Sequence, residues 1–255
     1  MNTNLLFLII LGGLVGASSG YLGSFMVLKR MSLVGDALSH VALPGIAVAL
    51  AFGINPMLGA IIALTLATIG VWLISENSDI YPEAVVGIFF TGSLAAGILL
   101  TPEPEMFEAL FGNIDKITNL DGLIIILGAI VIFILTKLIS KKLMLGIVSE
   151  DLAKSQKINI SKVNLIYLLL VGLVVTLGVK FLGTLLTGAL VIIPAVTARN
   201  ISKSIKSFHI LSIVFGIIAA TFGILIAKIL GIPSGPIVVL VGILLFLFSF
   251  LFRSK

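Results

Sequence analysis

The sequence predicts an all-α, polytopic integral membrane protein with eight or nine transmembrane helices, and three observations support it. Of its 255 residues, 59% are hydrophobic and only 11% charged, against roughly 25% charged in soluble domains. The mean hydropathy is +1.29. Apolar stretches long enough to span a bilayer, about 20 residues each, recur along the whole chain, and the lysines and arginines gather at their ends.

Nine apolar segments can be drawn in order: 5–28, 33–53, 56–75, 82–101, 121–140, 163–179, 182–198, 208–230 and 234–252. The first carries Gly12, Gly16 and Gly20, a small-xxx-small face that lets another helix approach closely. Met1-Asn2-Thr3-Asn4 has no basic residue before it, so the segment is expected to be a retained span rather than a secretory leader. The second segment holds Asp36, His40 and Pro44. Glu83 follows Tyr81-Pro82 at the start of the fourth, where an acid suits the helix dipole. The segment 182–198 is short enough to be a broken or re-entrant piece. No period of 20 to 50 residues marks a repeat, and the spans leave no room for an additional soluble domain. Residues 1–255 are therefore read as one transmembrane domain.

Charge sets the orientation. Lys29-Arg30, the 137–162 loop with its six lysines, the 199–206 loop with Arg199, Lys203 and Lys206, and the Arg253-Ser254-Lys255 tail fall on one face. Glu103, Glu105, Glu108 and Asp115 fall on the other. The basic face is cytoplasmic by the positive-inside rule, which puts the N-terminus outside and the C-terminus inside. The net charge of +5 is thus explained by membrane orientation and does not indicate nucleic acid as a partner. Lys180 and Lys228 are expected to snorkel at outer helix ends, and His209 to sit at the inner interface. With no cysteine, disulfides and thiolate sites are excluded. No Gly-x-x-x-x-Gly-Lys-Ser/Thr occurs, so ATP-driven work would need another subunit.

The chemistry concentrates in Asp36 and His40. On a helix they lie one turn apart on the same face, with Ser32 a turn below. Ionisable groups at membrane depth cost about 2.5–3.5 kcal/mol on insertion scales, so they usually face a cavity or a partner. Carboxylate plus imidazole suits divalent transition metals such as zinc or manganese; a buried structural pair, gates or a proton relay are the other readings. Two ligands are too few for a site, so further groups must come from another segment or protomer. Pro44 removes a backbone donor inside the same helix and is expected to kink it, freeing a carbonyl. An intramembrane protease is excluded, because no His-Glu-x-x-His is present.

Two cytoplasmic stretches are candidate docking elements. Residues 149–158 open with a Ser cap and two acids, the pattern of a short amphipathic helix. Residues 194–207 place Pro194, Thr197, Arg199, Asn200, Ser202 and Lys203 where a span ends.

The run Arg30-Met31-Ser32-Leu33-Val34-Gly35-Asp36-Ala37-Leu38-Ser39-His40-Val41-Ala42-Leu43-Pro44-Gly45 resembles the signature of the ABC-3 permeases, membrane subunits of bacterial zinc, manganese and iron importers. Pro82-Glu83-Ala84 through Gly87-Ile88, Leu110-Phe111-Gly112-Asn113-Ile114, Pro194 to Arg199 and Ile232-Pro233-Ser234-Gly235-Pro236 agree in order. The resemblance implies a type II ABC importer-like permease fold in the bacterial cytoplasmic membrane and a homodimer. It also implies a separate cytoplasmic ABC ATPase subunit and an extracytoplasmic metal-binding protein or lipoprotein. No cofactor would be bound by this chain, and the cargo would be a divalent metal ion. Asp36 and His40 become the metal-contacting or gating pair, 194–207 the main coupling segment and 149–158 a secondary contact. Related chains often carry Asp-x-x-x-Ala-x-x-x-Gly near 149–158; here Gln156-Lys157-Ile158 follows, without the glycine. On residue chemistry alone, a proton-coupled secondary transporter or channel using Asp36 and His40 as a relay is the competing function.

Overall fold

The structure is a computed structural model that describes residues 5–101 and 103–252, with the side chains of 103–105 left aside. The N-terminal tetrapeptide, the Arg253-Ser254-Lys255 tail and the side chains of Glu103 and Glu105 lie outside the described residues. All regular structure described is helical: α1 Leu5–Leu28, α2 Ser32–Ala51, α3 Pro56–Glu76, α4 Pro82–Leu100, α5 Glu103–Phe111, α6 Asn119–Val148, α7 Glu150–Ser155, α8 Ile160–Leu182, α9 Thr187–Ile201, α10 Ile205–Leu230 and α11 Ser234–Ser249. Eight of these, counting α11 together with the short turn that continues it to Phe252, are long and apolar enough to cross a membrane, and α9 is a ninth, shorter apolar helix. With 15 residues, α9 is about 22 Å long, less than the hydrocarbon thickness of about 30 Å.

Side-chain chemistry fixes the ends of these helices. Asn55 caps α3 by accepting from the Met57 amide, and Pro56 follows at the first helical position. Thr118 and Asp121 form a reciprocal capping box that starts α6 two residues before the apolar run at 121. Ser149 caps α7 as its sequence predicts, accepting from the Leu152 amide. Asn159 caps α8, which therefore begins at Ile160 rather than at the first apolar residues near 163. The 137–162 stretch is not a loop. α6 continues to Val148 because Lys137, Lys141 and Lys142 are good helix formers. They mark the edge of the hydrocarbon, not the end of the helix.

Packing is organised by glycine. α1 packs most extensively against α10, with the Gly12, Gly16 and Gly20 face meeting Ile224, Gly216 and Ser212 in turn. The reversed order of partners shows that the two helices are antiparallel. α2 is wrapped by α3, α4, α8 and α9, and its Gly45 lies against the backbone of Gly59 on α3. α2 runs unbroken through Pro44. Pro44 has no N–H to offer the carbonyl of His40 four residues earlier, so that carbonyl has no i→i−4 helix bond.

At the acidic end, lysines answer the carboxylates. Lys228 pairs with Asp115, Lys116 with Glu108, and Lys180 with Asp121 at 3.4 Å. Lys180 and Lys228 therefore do not simply snorkel. Asp121 is fully buried, and besides Lys180 it accepts from Asn55 Nδ2 at 2.8 Å and from the Thr118 amide at 2.9 Å. One carboxylate thus ties the starts of α3 and α6 to the end of α8. Burial would raise the Glu108 carboxyl, but hydrogen bonds from Lys116 and Asn113 outweigh it and hold the group below the usual carboxylate range.

Lys157 stands at a left-handed position, φ 59°, after α7. Its amide bonds the Lys154 carbonyl and the next amide, of Ile158, reaches Ala153, the paired closure of a Schellman cap. A non-glycine residue there costs roughly 1–2 kcal/mol. Lys157→Gly is expected to stabilise this end of the chain by about 1 kcal/mol, less whatever glycine adds to unfolded-state entropy. Thermal unfolding of the purified permease in detergent, followed by helical circular dichroism, checks this; a lower midpoint would contradict it.

Candidate translocation path and coupling segment

Asp36 and His40 sit on the enclosed helix α2, as their spacing predicts, but their surroundings differ. Asp36 is half-buried and faces the start of α9, where a side chain on Gly188 would collide with it. His40 is 8% exposed and meets Phe90 of α4 edge-on, ring centroids 5.2 Å apart. Its Nδ1 is buried with no hydrogen-bond partner. No hydrogen bond joins Asp36 to His40 among the described residues, so the two do not satisfy each other as a structural pair would. Between them, the Ser39 hydroxyl lies at the Asp36 carbonyl, 2.6 Å away, and at the carbonyl of Thr184 in the α8–α9 turn. That contact pins the turn against α2 beside the pair. Among the described residues no third His, Asp or Glu joins them to make a metal-binding cluster.

The 194–207 stretch is the end of a helix followed by a three-residue connection, not an extended loop. Pro194 and Thr197 are buried within α9, and the Thr197 hydroxyl bonds the Ile193 carbonyl at 2.7 Å. Neither is exposed at the surface of the chain. Asn200 donates to Ser249 Oγ at 2.7 Å and so fastens α9 to the end of α11. Arg199 and Lys203 are exposed, and Ser202 caps the helix end, half-buried. The six residues therefore divide into an interior group and an outward basic pair on one helix end.

His209 lies near the inner end of α10, as the sequence suggests, but it is not a free interfacial group. Its Nδ1 meets Ser24 Oγ at 2.5 Å, and its ring stacks on Phe25 at 4.4 Å. It fastens α10 to α1 below the glycine contacts. Glu83 is exposed in the first turn of α4, in the dipole-favoured position. Sequence reasoning did not single out Asp121. The cue was present in Thr118-x-x-Asp121, a capping-box spacing, but its partners Asn55 and Lys180 are 66 and 59 residues away.

Comparison with known proteins agrees with this architecture. The family model described as the ABC 3 transport family matches residues 1–253. The manganese import system permease protein ScaB of Streptococcus gordonii is 34% identical over 245 residues, covering 94% of this chain and 88% of that one. The high-affinity zinc uptake system membrane protein ZnuB of Buchnera aphidicola is 30% identical, covering 93% and 94%. The solved structure of PsaBC from Streptococcus pneumoniae in complex with Fab superimposes with a TM-score of 0.87 at 32% identity, covering all of this chain and 94% of the matched one. The chain belongs to the ABC 3 transport family: it is a multi-pass membrane permease of the ABC importer type, and ATP hydrolysis resides on a separate subunit.

Proposed function

We propose that this chain, acting as one transmembrane permease domain, moves divalent transition-metal ions (manganese, zinc or ferrous iron) inward through the bacterial cytoplasmic membrane. The observation that carries the reading is His40. Its Nδ1 is an unpartnered nitrogen on an enclosed helix, one turn from a carboxylate with which it shares no hydrogen bond. An imidazole nitrogen and a carboxylate held apart in this way suit a passing cation. The carbonyl of His40, which Pro44 leaves without its usual helix bond, can add a hard oxygen. The names of the relatives, manganese and zinc systems, point to the same cargo.

One protomer supplies too few ligands to strip a metal ion of its water. A second permease protomer completes the passage, and the working unit is a homodimer. An extracytoplasmic binding protein or lipoprotein delivers the ion to the acidic end. The ATPase docks on the basic end, where Arg199 and Lys203 are exposed. Pro194, Thr197 and Asn200 act behind them, transmitting movement of the α9 end to the α8–α9 turn and so to Asp36. In alternating access, the metal is exposed to one side at a time as the ATPases close and open.

Uptake of radiolabelled manganese and zinc, with and without the ATPase gene, tests this against a proton-coupled transporter or channel using Asp36 and His40 as a relay. ATP-driven import is lost with the ATPase and survives a protonophore while ATP is maintained; a relay mechanism gives the reverse. Arg199→Glu places like charge where the partner docks and is expected to lower uptake by about tenfold, equivalent to about 1.4 kcal/mol, while the permease still reaches the membrane. Normal ATP-dependent uptake by Arg199→Glu would remove this residue from the coupling surface.

A further inference from the structure

The metal path uses none of the groups around Lys29, at the inner end of α1. Lys29 lies just beyond the last turn of α1, and its ammonium donates to Asn164 Oδ1 of α8 at 2.7 Å while sitting 5.1 Å above the Tyr167 ring. That contact uses one of its three N–H donors. Burial holds the amine below the ordinary lysine range, although Glu150 and Glu83 oppose the shift. A cavity of about 130 Å³ opens beside it, lined by Lys29, Trp72, Ser75, Asn164 and Tyr167 among others, where about 10–15 Å³ is enough to hold one water.

Two of the residues that line this cavity carry a buried hydroxyl with no partner. Tyr167 is 1% exposed, and its OH makes no hydrogen bond. Ser75 Oγ is likewise buried and unpaired. Buried polar groups without partners are rare in folded proteins and call for a ligand, an ion or water. Two unpaired hydroxyls and an ammonium with spare donors, all on residues that line one cavity, call for an acceptor-rich, negatively charged group. The position selects among such groups. Trp72, whose indole N–H bonds Ser161 at the start of α8, is the kind of residue that marks a membrane interface. The cavity therefore lies at headgroup depth on the basic side, where pockets between transmembrane helices bind lipid head groups.

We infer that the cavity bounded by Lys29, Ser75 and Tyr167 binds the phosphodiester of an inner-leaflet phospholipid. The ammonium and the two hydroxyls hold the phosphate oxygens, and the acyl chains leave along the apolar outer faces of α3 and α4. Glu76 also lines the cavity, and Glu83 and Glu150 act on Lys29 through space. These carboxylates make the surroundings poor for a bare polyanion and better for a phosphodiester, which carries a single charge. A lipid seated there would brace α1, α3 and α8 at the end of the molecule where the ATPase works.

The test is native mass spectrometry of the permease purified with its ATPase from bilayers that mix phosphatidylglycerol with a phosphate-free glycolipid of matched acyl chains. Wild type should retain one phosphatidylglycerol per permease chain and little glycolipid. Tyr167→Phe removes only the unpartnered hydroxyl, so it should fold normally yet lose phosphatidylglycerol occupancy at least threefold. Lys29→Met should lose at least tenfold, whereas Lys154→Met, on exposed α7, should lose none. Equal retention of the two lipids, or unchanged occupancy in both Tyr167→Phe and Lys29→Met, overturns the inference. Repeating the measurement in 10 mM inorganic phosphate separates the sources: undiminished lipid supports the phospholipid, and displacement that depends on Lys29 overturns it in favour of soluble phosphate.

Discussion

Asp36→Asn and His40→Ala are each expected to reduce the initial rate of metal uptake by at least tenfold, with the permease still present in the membrane and still bound to its ATPase. The expectation follows from the surroundings of the two groups. Asp36→Asn keeps the shape of the side chain beside Gly188 and removes the charge that attracts a cation. His40 makes no hydrogen bond through Nδ1, so removing the ring strands no buried donor or acceptor. Loss of even a supporting residue at a metal site costs roughly 10–100-fold in affinity or activity; loss of a ligand should cost no less. His40→Phe separates the two readings of this residue. It keeps an aromatic ring against Phe90, 5.2 Å away, and deletes the nitrogens. If the histidine serves packing, His40→Phe transports normally; if it serves the ion, His40→Phe is as inactive as His40→Ala. The isotope that the wild type takes up preferentially, manganese or zinc, then names the cargo. Normal uptake in all three variants would make the pair structural and move the route elsewhere.

What could be read from the sequence alone depended on how local the physics is. Each span was legible because burying about 20 apolar residues in lipid is a property of one segment. The α7 cap was legible for the same reason, since Ser149 acts on an amide three residues on. The Gly12, Gly16 and Gly20 face announced a close approach, but not that α10, some 200 residues away, would be the partner. Gly45 against Gly59 carried no comparable signal, because the two glycines of each helix, Gly35 and Gly45 in α2 and Gly59 and Gly70 in α3, stand too far apart to form a stripe at helical spacing. Asp121 looked like a segment start, and its ties to Asn55 and Lys180 are long-range. The lysines of α6 misled, because charge marks the membrane edge whether or not the helix stops there. At the proposed coupling segment, residue types indicated a polar helix end, but burial decides which of them face out. Pro194 and Thr197 turn inward, while Arg199 and Lys203 remain outside.

Gly16→Leu and Gly216→Leu are expected to abolish recovery of folded permease. A Cβ on Gly16 would overlap the carbonyl oxygen of Gly216 and lie 2.9 Å from Ala220 Cβ. A Cβ on Gly216 would overlap the carbonyl of Gly16 in return. The obstacle on each side is backbone, which cannot rotate away as a flexible side chain can, so α1 and α10 would have to separate. Overpacking ordinarily costs about 1–3 kcal/mol and occasionally more. Here separation would also loosen the Gly12 and Gly20 contacts above and below, and draw His209 from Ser24 and Phe25. Since proteins hold only about 5–15 kcal/mol of net stability, losing several packed turns at once is enough to unfold the pair. Gly92→Ala is the matched control: on α4 its Cβ would meet nothing within 4 Å, and helix propensity predicts a gain of roughly 0.5–1 kcal/mol. Monodisperse yield in detergent reads both outcomes. Wild-type yield from Gly16→Leu would mean that α1 and α10 do not touch backbone to backbone.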